Sequence, residues 1–499
     1  MIYTSIYNMT ATAIMLGLLA GCTVGPDFKR PATPEVAVYT ASPLPTRTVA
    51  TPTLLGEPQH FVTGDSISSQ WWHEFGSARL AALIEEALQT SPVLAADQAR
   101  LRQAQEVYAA RSGSTLYPQV DANFSGQRQR FNPGALGQSG ETREFSLYNA
   151  GMGVRYNFDL AGSNRRALEA LAARSDYQHF QLAGARLTLA ANIVTTAMTQ
   201  AKLSLQLATA KDILHSQTEQ LELTRQRVRL GQAAPDDMLA LQTQLEQTRA
   251  GIPLRRSQLQ QNDHLLAVLV GRAPGMGGLP EFTLEDFVLP SDLPLLVPSE
   301  LARARPDILG AEALLHTANA EYGVAIARLY PQLNLSADLG SQALTTGALF
   351  GGGSTVWSLV GQLTQPLFNP GLPAEKRAAL AAFDAAAANY QTVVLESLRD
   401  VADVLSALRN DAKRLAALSA ADVAAEQSLQ SVQRRYALGT LSYYDLLIAH
   451  QQRQQTRLEL IEGQANRLIN SVAFYQAMGG GYAEDRKTTS VNLDKRQGL

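Results

Sequence analysis

Two stretches of this chain can only be read as very long helices. Ser163 to Leu230 runs 68 residues with no proline and one glycine, Gly184; Ala374 to Leu438 runs 65 residues with neither. At about 1.5 Å per residue each would extend close to 100 Å, where the mean helix of a globular domain has about 11 residues. No helix of that length wraps around a globular core, so coiled-coil or barrel packing is required. The composition is Ala, Gln and Leu with scattered Arg and Glu. Runs such as Ala385 to Ala388 allow close helix approach, and the polar share leaves a wet face. Each long helix ends at a glycine, Gly231 or Gly439, and is answered by another, Pro235–Val270 or Ser442–Met478. Each half also opens with a helix, roughly Arg79–Ser114 and Pro298–Arg328.

Of 22 prolines, seven lie in Pro26–Pro58 and six in Pro274–Pro306, which marks both stretches as non-helical connectors. Between and after them the chain is duplicated. Leu116-Tyr117-Pro118-Gln119 returns as Leu329-Tyr330-Pro331-Gln332, each preceded by a proline helix start at Ser91-Pro92 or Arg305-Pro306. Arg227 to Gly231 matches Arg435 to Gly439, and Asp237 and Asp445 each follow their glycine by six positions. Landmarks in one order at nearly constant offset define a repeat of about 210 residues, far longer than solenoid units. The expected division is 1–21, 22–75, a first repeat over 76–290, a second over 291–478, and a tail over 479–499.

Within each repeat the period switches from 3.6 to 2 between the opening and the long helix. Val120, Ala122 and Phe124 alternate with Asp121, Asn123 and Ser125; Tyr148, Ala150, Met152, Val154, Tyr156 and Phe158 alternate with Asn149, Gly151, Gly153, Arg155 and Asn157. The second repeat sets Leu333, Leu335, Ala337 and Leu339 against Asn334, Ser336 and Asp338, then Trp357, Leu359, Gly361 and Leu363 against Ser358, Val360, Gln362 and Thr364. Strands wet on one side and greasy on the other are expected at about 118–130, 145–158, 332–344 and 355–367. Soluble sandwiches contain such hairpins too. Here the strands have the length that crosses a bilayer in a barrel, and aromatic residues sit on the greasy face or at strand ends. Only four strands are expected, too few to close a barrel, and an open sheet leaves unpaired edges in lipid. Three copies give twelve strands, so a membrane barrel requires a trimer.

The single cysteine excludes a disulfide framework and a multi-cysteine metal site. Its position is informative. Ala11 to Ala20 is an apolar run half the length of a membrane span, and Leu19-Ala20-Gly21-Cys22 looks like a bacterial lipobox, in which the cysteine is acylated and becomes the new N-terminus. Met1 to Thr10 carries no Lys or Arg, a departure from the charged start of a signal peptide.

A net charge of −3 excludes a basic nucleic-acid-binding surface built on charge excess. The seven histidines show no i, i+3 or i, i+4 pairing, and no Walker loop, Gly-x-Ser-x-Gly elbow or dinucleotide fingerprint occurs. No enzymatic activity is expected, nor any cofactor beyond a covalent lipid on Cys22.

Cys22-Thr23-Val24-Gly25-Pro26-Asp27-Phe28, Trp71-Trp72 with Phe75, and the duplicated Tyr-Pro-Gln and Leu-Gly landmarks together resemble the outer membrane factors, TolC-like proteins of the OprM/NodT lipoprotein type. The resemblance covers nearly the whole chain from Cys22 to about Met478. It implies an α plus membrane-β fold: a homotrimer with a 12-stranded β-barrel in the Gram-negative outer membrane and a 12-helix α-barrel crossing the periplasm, belted by the proline-rich stretches. It further implies docking to a periplasmic adaptor (a membrane fusion protein) and an RND-type inner-membrane pump, with passive export of drugs or other small toxic compounds. A protein or polysaccharide secretion duct, or a periplasmic coiled-coil scaffold lipoprotein, are the alternatives.

By the same resemblance, Gly231 and Gly439 with Leu230 and Leu438 would form periplasmic tips that contact the adaptor. Both glycines also read as helix C′ caps at positive φ. Asp237 and Asp445 would lie at the pore mouth, although Pro235 at a first helical position and the Ser442–Asp445 pattern explain both as helix caps. Close relatives often have an acidic residue one turn beyond, where this chain has Ile448, and Tyr444 stands where an aliphatic residue is common. An aperture closed by Tyr444 and Ile448 is therefore expected to be more apolar than acidic.

Overall fold

The computed structural model describes residues 23–64, 67–137 and 139–482. Cys22 and the signal segment lie outside them. The chain forms two compact units, each assembled from several stretches. The first takes residues up to Pro31, Arg100–His179 and Gly310–Tyr390; the second takes Ala32–Ala99, Phe180–Leu309 and Gln391 onward. Each unit thus draws on both sequence repeats, and apart from the one after Pro31 the boundaries fall inside helices, the two long ones among them.

In chain order the elements are β1 (His60–Thr63), α1 (Ala78–Thr90), α2 (Pro92–Leu116), β2 (Gln119–Phe131), β3 (Arg143–Phe158), α3 (Ser163–Arg229), α4 (Pro235–Leu269), β4 (Asp292–Leu295), α5 (Pro298–Ala304), α6 (Pro306–Ala327), β5 (Gln332–Ala343), β6 (Thr355–Thr364), α7 (Gly371–Ala437) and α8 (Tyr443–Ala477). The long helices α3 and α7 have 67 residues each. Among the described residues no helix is long and apolar enough to cross a membrane.

Three sequence expectations need correction. The opening helices are not continuous. They break at Ser91 and Arg305, whose ψ values of 121° and 126° are extended, because the ring of a following proline clashes with an α-conformation in the residue before it. The described residues hold six strands rather than four. The additional pair, β1 and β4, lies parallel with His60 opposite Asp292 and Thr63 opposite Leu295. These are too short to show an alternation. The fourth strand ends at Thr364, since Gln365 is followed by Pro366, which has no amide to donate.

In the first unit, β2, β3, β5 and β6 form an antiparallel sheet in that order. Thr23 to Arg30 packs beside it, on α3 and α6. Arg166, with a side chain 4% exposed, donates to Asp27 at 2.7 Å and Glu169 at 2.7 Å, and to the carbonyls of Val24 and Gly25. Phe28 stacks on His316 with centroids 4.2 Å apart, and His316 bonds Glu169 at 2.8 Å. Gly25 has φ +91°, and a Cβ there would lie 2.9 Å from the Cα of Gly323. The stretch that follows the lipobox therefore has a packing reason: glycine meets glycine where the extended chain crosses α6.

In the second unit, Trp71, Trp72 and Phe75 are buried in a short 3-10 turn. Trp71 stacks on Tyr475 at 5.3 Å and meets Phe75 edge-on at 6.2 Å. The two proline-rich stretches come together here through the β1–β4 pair and through Tyr39, whose hydroxyl donates to the Leu296 carbonyl at 2.6 Å.

Candidate functional site

The register of the four-stranded sheet turns alternation into two faces. Phe124 lies opposite Ala150; Met152 lies opposite both Ala122 and Leu339; Leu339 lies opposite Trp357. Residues opposite one another share a face, so Val120, Ala122, Phe124, Tyr148, Met152, Val154, Tyr156, Phe158, Leu333, Leu335, Leu339, Trp357, Leu359 and Leu363 form one continuous apolar surface. In a single chain it is bare: Phe124 is 70% exposed and Trp357 76%. An apolar surface of this extent on a lone chain marks a membrane or protein contact.

The opposite face is polar and internally bonded. Asp121 meets Arg155 at 3.5 Å, Asn157 meets Asn334 at 2.6 Å, Asn149 receives Gln342 at 2.8 Å, and Ser358 donates to Asp338 at 3.2 Å. Gly151 and Gly340 face each other on this side, and a Cβ on Gly340 would stand 2.6 Å from the carbonyl oxygen of Ala150. The polar face is thus the crowded one, with glycine where the backbones come closest.

At the helix turns of the second unit, Gly231 and Gly439 have φ values of 70° and 74°. In each turn the glycine amide and the next amide reach back to the helix: Gly231 to Val228 and Gln232 to Arg227 at 3.0 and 2.8 Å, Gly439 to Tyr436 and Thr440 to Arg435 at 2.9 and 3.0 Å. This double bond pattern is the Schellman closure, which needs a left-handed residue at the glycine. Leu230 and Leu438 protrude beside the glycines, 71% and 78% exposed.

The returning helices begin with capped turns. Asp445 binds the amide and hydroxyl of Ser442, and Asp237 accepts the amide of Ala234 at 3.4 Å. The hydrogen bonds from Ser442 hold the Asp445 carboxyl below the usual range. Tyr443 points inward against Leu221, Leu241, Leu245, Leu429 and Leu446, and burial pushes its phenol up. Tyr444 and Ile448, one turn apart, stay out of that core. The geometry thus brings Tyr444, Asp445 and Ile448 onto adjoining positions of one helix start, with the carboxylate engaged in the cap.

Beneath the turns, contacts join α3, α7 and α8. Arg227 donates to the Tyr436 hydroxyl at 3.2 Å and lies 5.7 Å over its ring. Further along, Arg453 pairs with Asp422 and Glu426, and His450 meets Gln220 at 3.1 Å. The sequence did not reveal these partners because they are brought together by helix register rather than by local spacing.

A bare amphipathic β-sheet together with very long paired helices is also the architecture of solved outer membrane channels. A model of the outer membrane efflux protein family matches residues 83–272 and 297–480, one segment in each repeat, and the chain belongs to that family. Relatives include the toluene efflux pump outer membrane protein TtgC of Pseudomonas putida, 28% identical over 489 residues with 96% of each chain covered. The pyoverdine export outer membrane protein OpmQ of the same species is 31% identical, over 84% of this chain and 89% of its own. Among solved structures, the outer-membrane channel OprN superposes with a TM-score of 0.83 at 27% identity, over 92% of this chain and all of that one. The Neisseria gonorrhoeae MtrE channel, solved in an open state, gives 0.77 at 27%, over 92% of this chain and 99% of that one. The protein is therefore an outer membrane component of Gram-negative efflux with a TolC-like fold.

Proposed function

We propose that three copies of this chain form a passive duct through the outer membrane, fed by a periplasmic adaptor and an RND-type pump, and export drugs or other small toxic compounds. One observation carries the reading: the described sheet has a continuous apolar face and ends in open edges at β2 and β6. Unpaired backbone groups cost several kcal/mol each in hydrocarbon, and joining β6 of one copy to β2 of the next removes every edge. The result is a 12-stranded barrel with the apolar face toward lipid and the Asp121–Arg155 and Asp338–Ser358 face toward the lumen. Glycines at the crowded polar face fit a sheet that curls that way.

Four helix columns per chain give a 12-helix α-barrel. The exposed Leu230, Gly231, Leu438 and Gly439 turns are its adaptor-docking ends, and Tyr444, Asp445, Ile448 and Asp237 line its aperture. Cys22 carries a covalent lipid that adds an anchor. Transport is driven by the partner pump.

Reconstitution of the purified protein into planar bilayers tests this. Discrete conductance steps and a heat-labile trimer on gels are expected. A monomer without conductance overturns the duct and favours a periplasmic scaffold. A deletion strain screened by disk diffusion identifies the exported class, and loss of palmitate labelling in Cys22→Ser tests the lipid.

A further inference from the structure

The alternation that makes the sheet amphipathic reverses near its hairpin end. Along the apolar face the register runs Val120–Val154, Ala122–Met152, Phe124–Ala150 and Gly126–Tyr148, and then continues Arg128–Ser146 and Arg130–Glu144. On the other face the polar ladder gives way to Leu147 and Phe145, opposite Gln127 and Gln129, and ends at Phe131. On the formerly apolar face both strands of the β2–β3 hairpin turn polar at the same level, Arg128 opposite Ser146. From Tyr148 to Phe158 is 11 residues of β3, about the length that crosses a hydrocarbon core in a tilted strand. In the duct reading, that level is where lipid tails stop.

At that boundary the surface is arranged. Gly126 has no side chain, and a Cβ there would stand 3.1 Å from the Tyr148 ring, so the ring lies across the strand. Immediately beyond it stand Arg128 and Arg130, two positions apart on one face with side chains 75% and 71% exposed. They share one carboxylate, Glu144, at 3.5 and 3.7 Å. Two cations against one anion leave a positive excess, and exposed ion pairs that long contribute little. Both guanidiniums remain available to a stronger acceptor, and a planar guanidinium matches phosphate geometry with two parallel hydrogen bonds.

We propose that Arg128 and Arg130, above the Tyr148 ring, bind the phosphate groups of a phosphorylated glycolipid in the outer leaflet. The inference rests on the duct reading, in which the hairpin end of the sheet, remote from the helices at Gln119 and Phe158, faces outward. The aromatic ring meets the sugar–acyl junction and the guanidiniums take the charge, in the order the lipid presents them. An anionic headgroup contributes about 1 kcal/mol per facing Arg, so removal of both charges weakens binding roughly tenfold or more.

The test uses the full-length purified protein titrated with bisphosphorylated lipid A and with its enzymatically dephosphorylated form, at two salt concentrations. Expected are tighter binding of the phosphorylated lipid, weakening by salt, a loss of about tenfold or more in Arg128→Gln/Arg130→Gln, and tighter binding in Glu144→Gln, which leaves both arginines in place. Equal affinity for the two lipids, an unchanged double variant, or weaker binding in Glu144→Gln overturns the proposal. So does failure of a membrane-impermeant maleimide to label Gly352→Cys in the β5–β6 loop on intact cells. Conductance of the double variant is expected to match wild type; absence of conductance in wild type itself counts against the duct, independently of the lipid titration.

Discussion

Asp445 accepts hydrogen bonds from both the amide and the hydroxyl of Ser442, at 3.0 and 2.6 Å, while its own amide reaches the Ser442 oxygen at 3.3 Å. The carboxylate proposed for the aperture is thus engaged in a helix cap. Ser442→Ala is expected to cost about 1 kcal/mol, read as a lower thermal midpoint by circular dichroism. The folded protein holds Asp445 below its ordinary value of 3.8. At pH values between the two, the unfolded chain binds more protons. The cap's contribution is therefore complete above about pH 4 and lost as pH falls through the folded value. Asp445→Asn should flatten that acid limb. If it instead changes cation selectivity at neutral pH while Ser442→Ala does not, Asp445 acts on the pore directly.

Tyr444 and Ile448 have no core partners to lose. The Tyr444→Ala/Ile448→Ala pair is expected to leave the melting curve within about 0.5 kcal/mol of wild type, as for other exposed positions. Single-channel conductance should rise severalfold. Unchanged conductance removes both residues from the aperture.

The sequence displayed what depends on period and missed what depends on distance. The long helices, the four strands of the antiparallel sheet and their greasy face are legible because each is written in consecutive residues. Asp237 and Asp445 were recognisable as caps for the same reason, three positions from their helix starts. Arg166 was not recognisable as the residue that holds Asp27, because the two are 139 positions apart and only folding joins them. The β1–β4 pair was hidden similarly, four residues against four across the first repeat. Ser91-Pro92 and Arg305-Pro306 are visible as landmarks, yet the residues on both sides are helix-forming, and the pre-proline clash is what decides for a break.

The N-terminal strap depends on two features that separate experimentally. Gly25→Val forces a β-branched residue into φ +91° and against Gly323. It should expose Thr23–Arg30 to limited proteolysis while the helical content stays unchanged. Arg166→Ala removes the side chain that reaches Asp27, Glu169 and two carbonyls together. Asp27 is solvated without it, but the partly buried Glu169 carboxylate and the two carbonyls lose their donor, so a cost of about 1–3 kcal/mol and a fall in thermal midpoint are expected. A midpoint within a degree of wild type in Arg166→Ala means the strap is held by other contacts.

Arg467 is 1% exposed and binds the neutral oxygens of Leu55, Thr48 and Gln59 at 2.8, 3.3 and 3.2 Å. Burial depresses its pKa. No carboxylate touches it among the described residues, and its Nε has no partner. One of its acceptors belongs to Leu55, at φ 58°, a left-handed conformation a leucine adopts only when its surroundings impose it. The arginine thereby fixes the arm from Thr48 to Gln59 onto α8. Arg467→Met keeps the volume and removes the charge, but it strands the Leu55 carbonyl and the Gln59 amide oxygen in the core. At about 1–3 kcal/mol for each of these two orphaned acceptors, the variant should lose roughly 2–6 kcal/mol and become cleavable between residues 46 and 58. Arg467→Lys, which supplies one compact donor group in place of the fork, is expected to fall between. If Arg467→Met is as stable as wild type, relief of the buried charge outweighs the lost donors, and the arm is held by the β1–β4 pairing and Tyr39 instead.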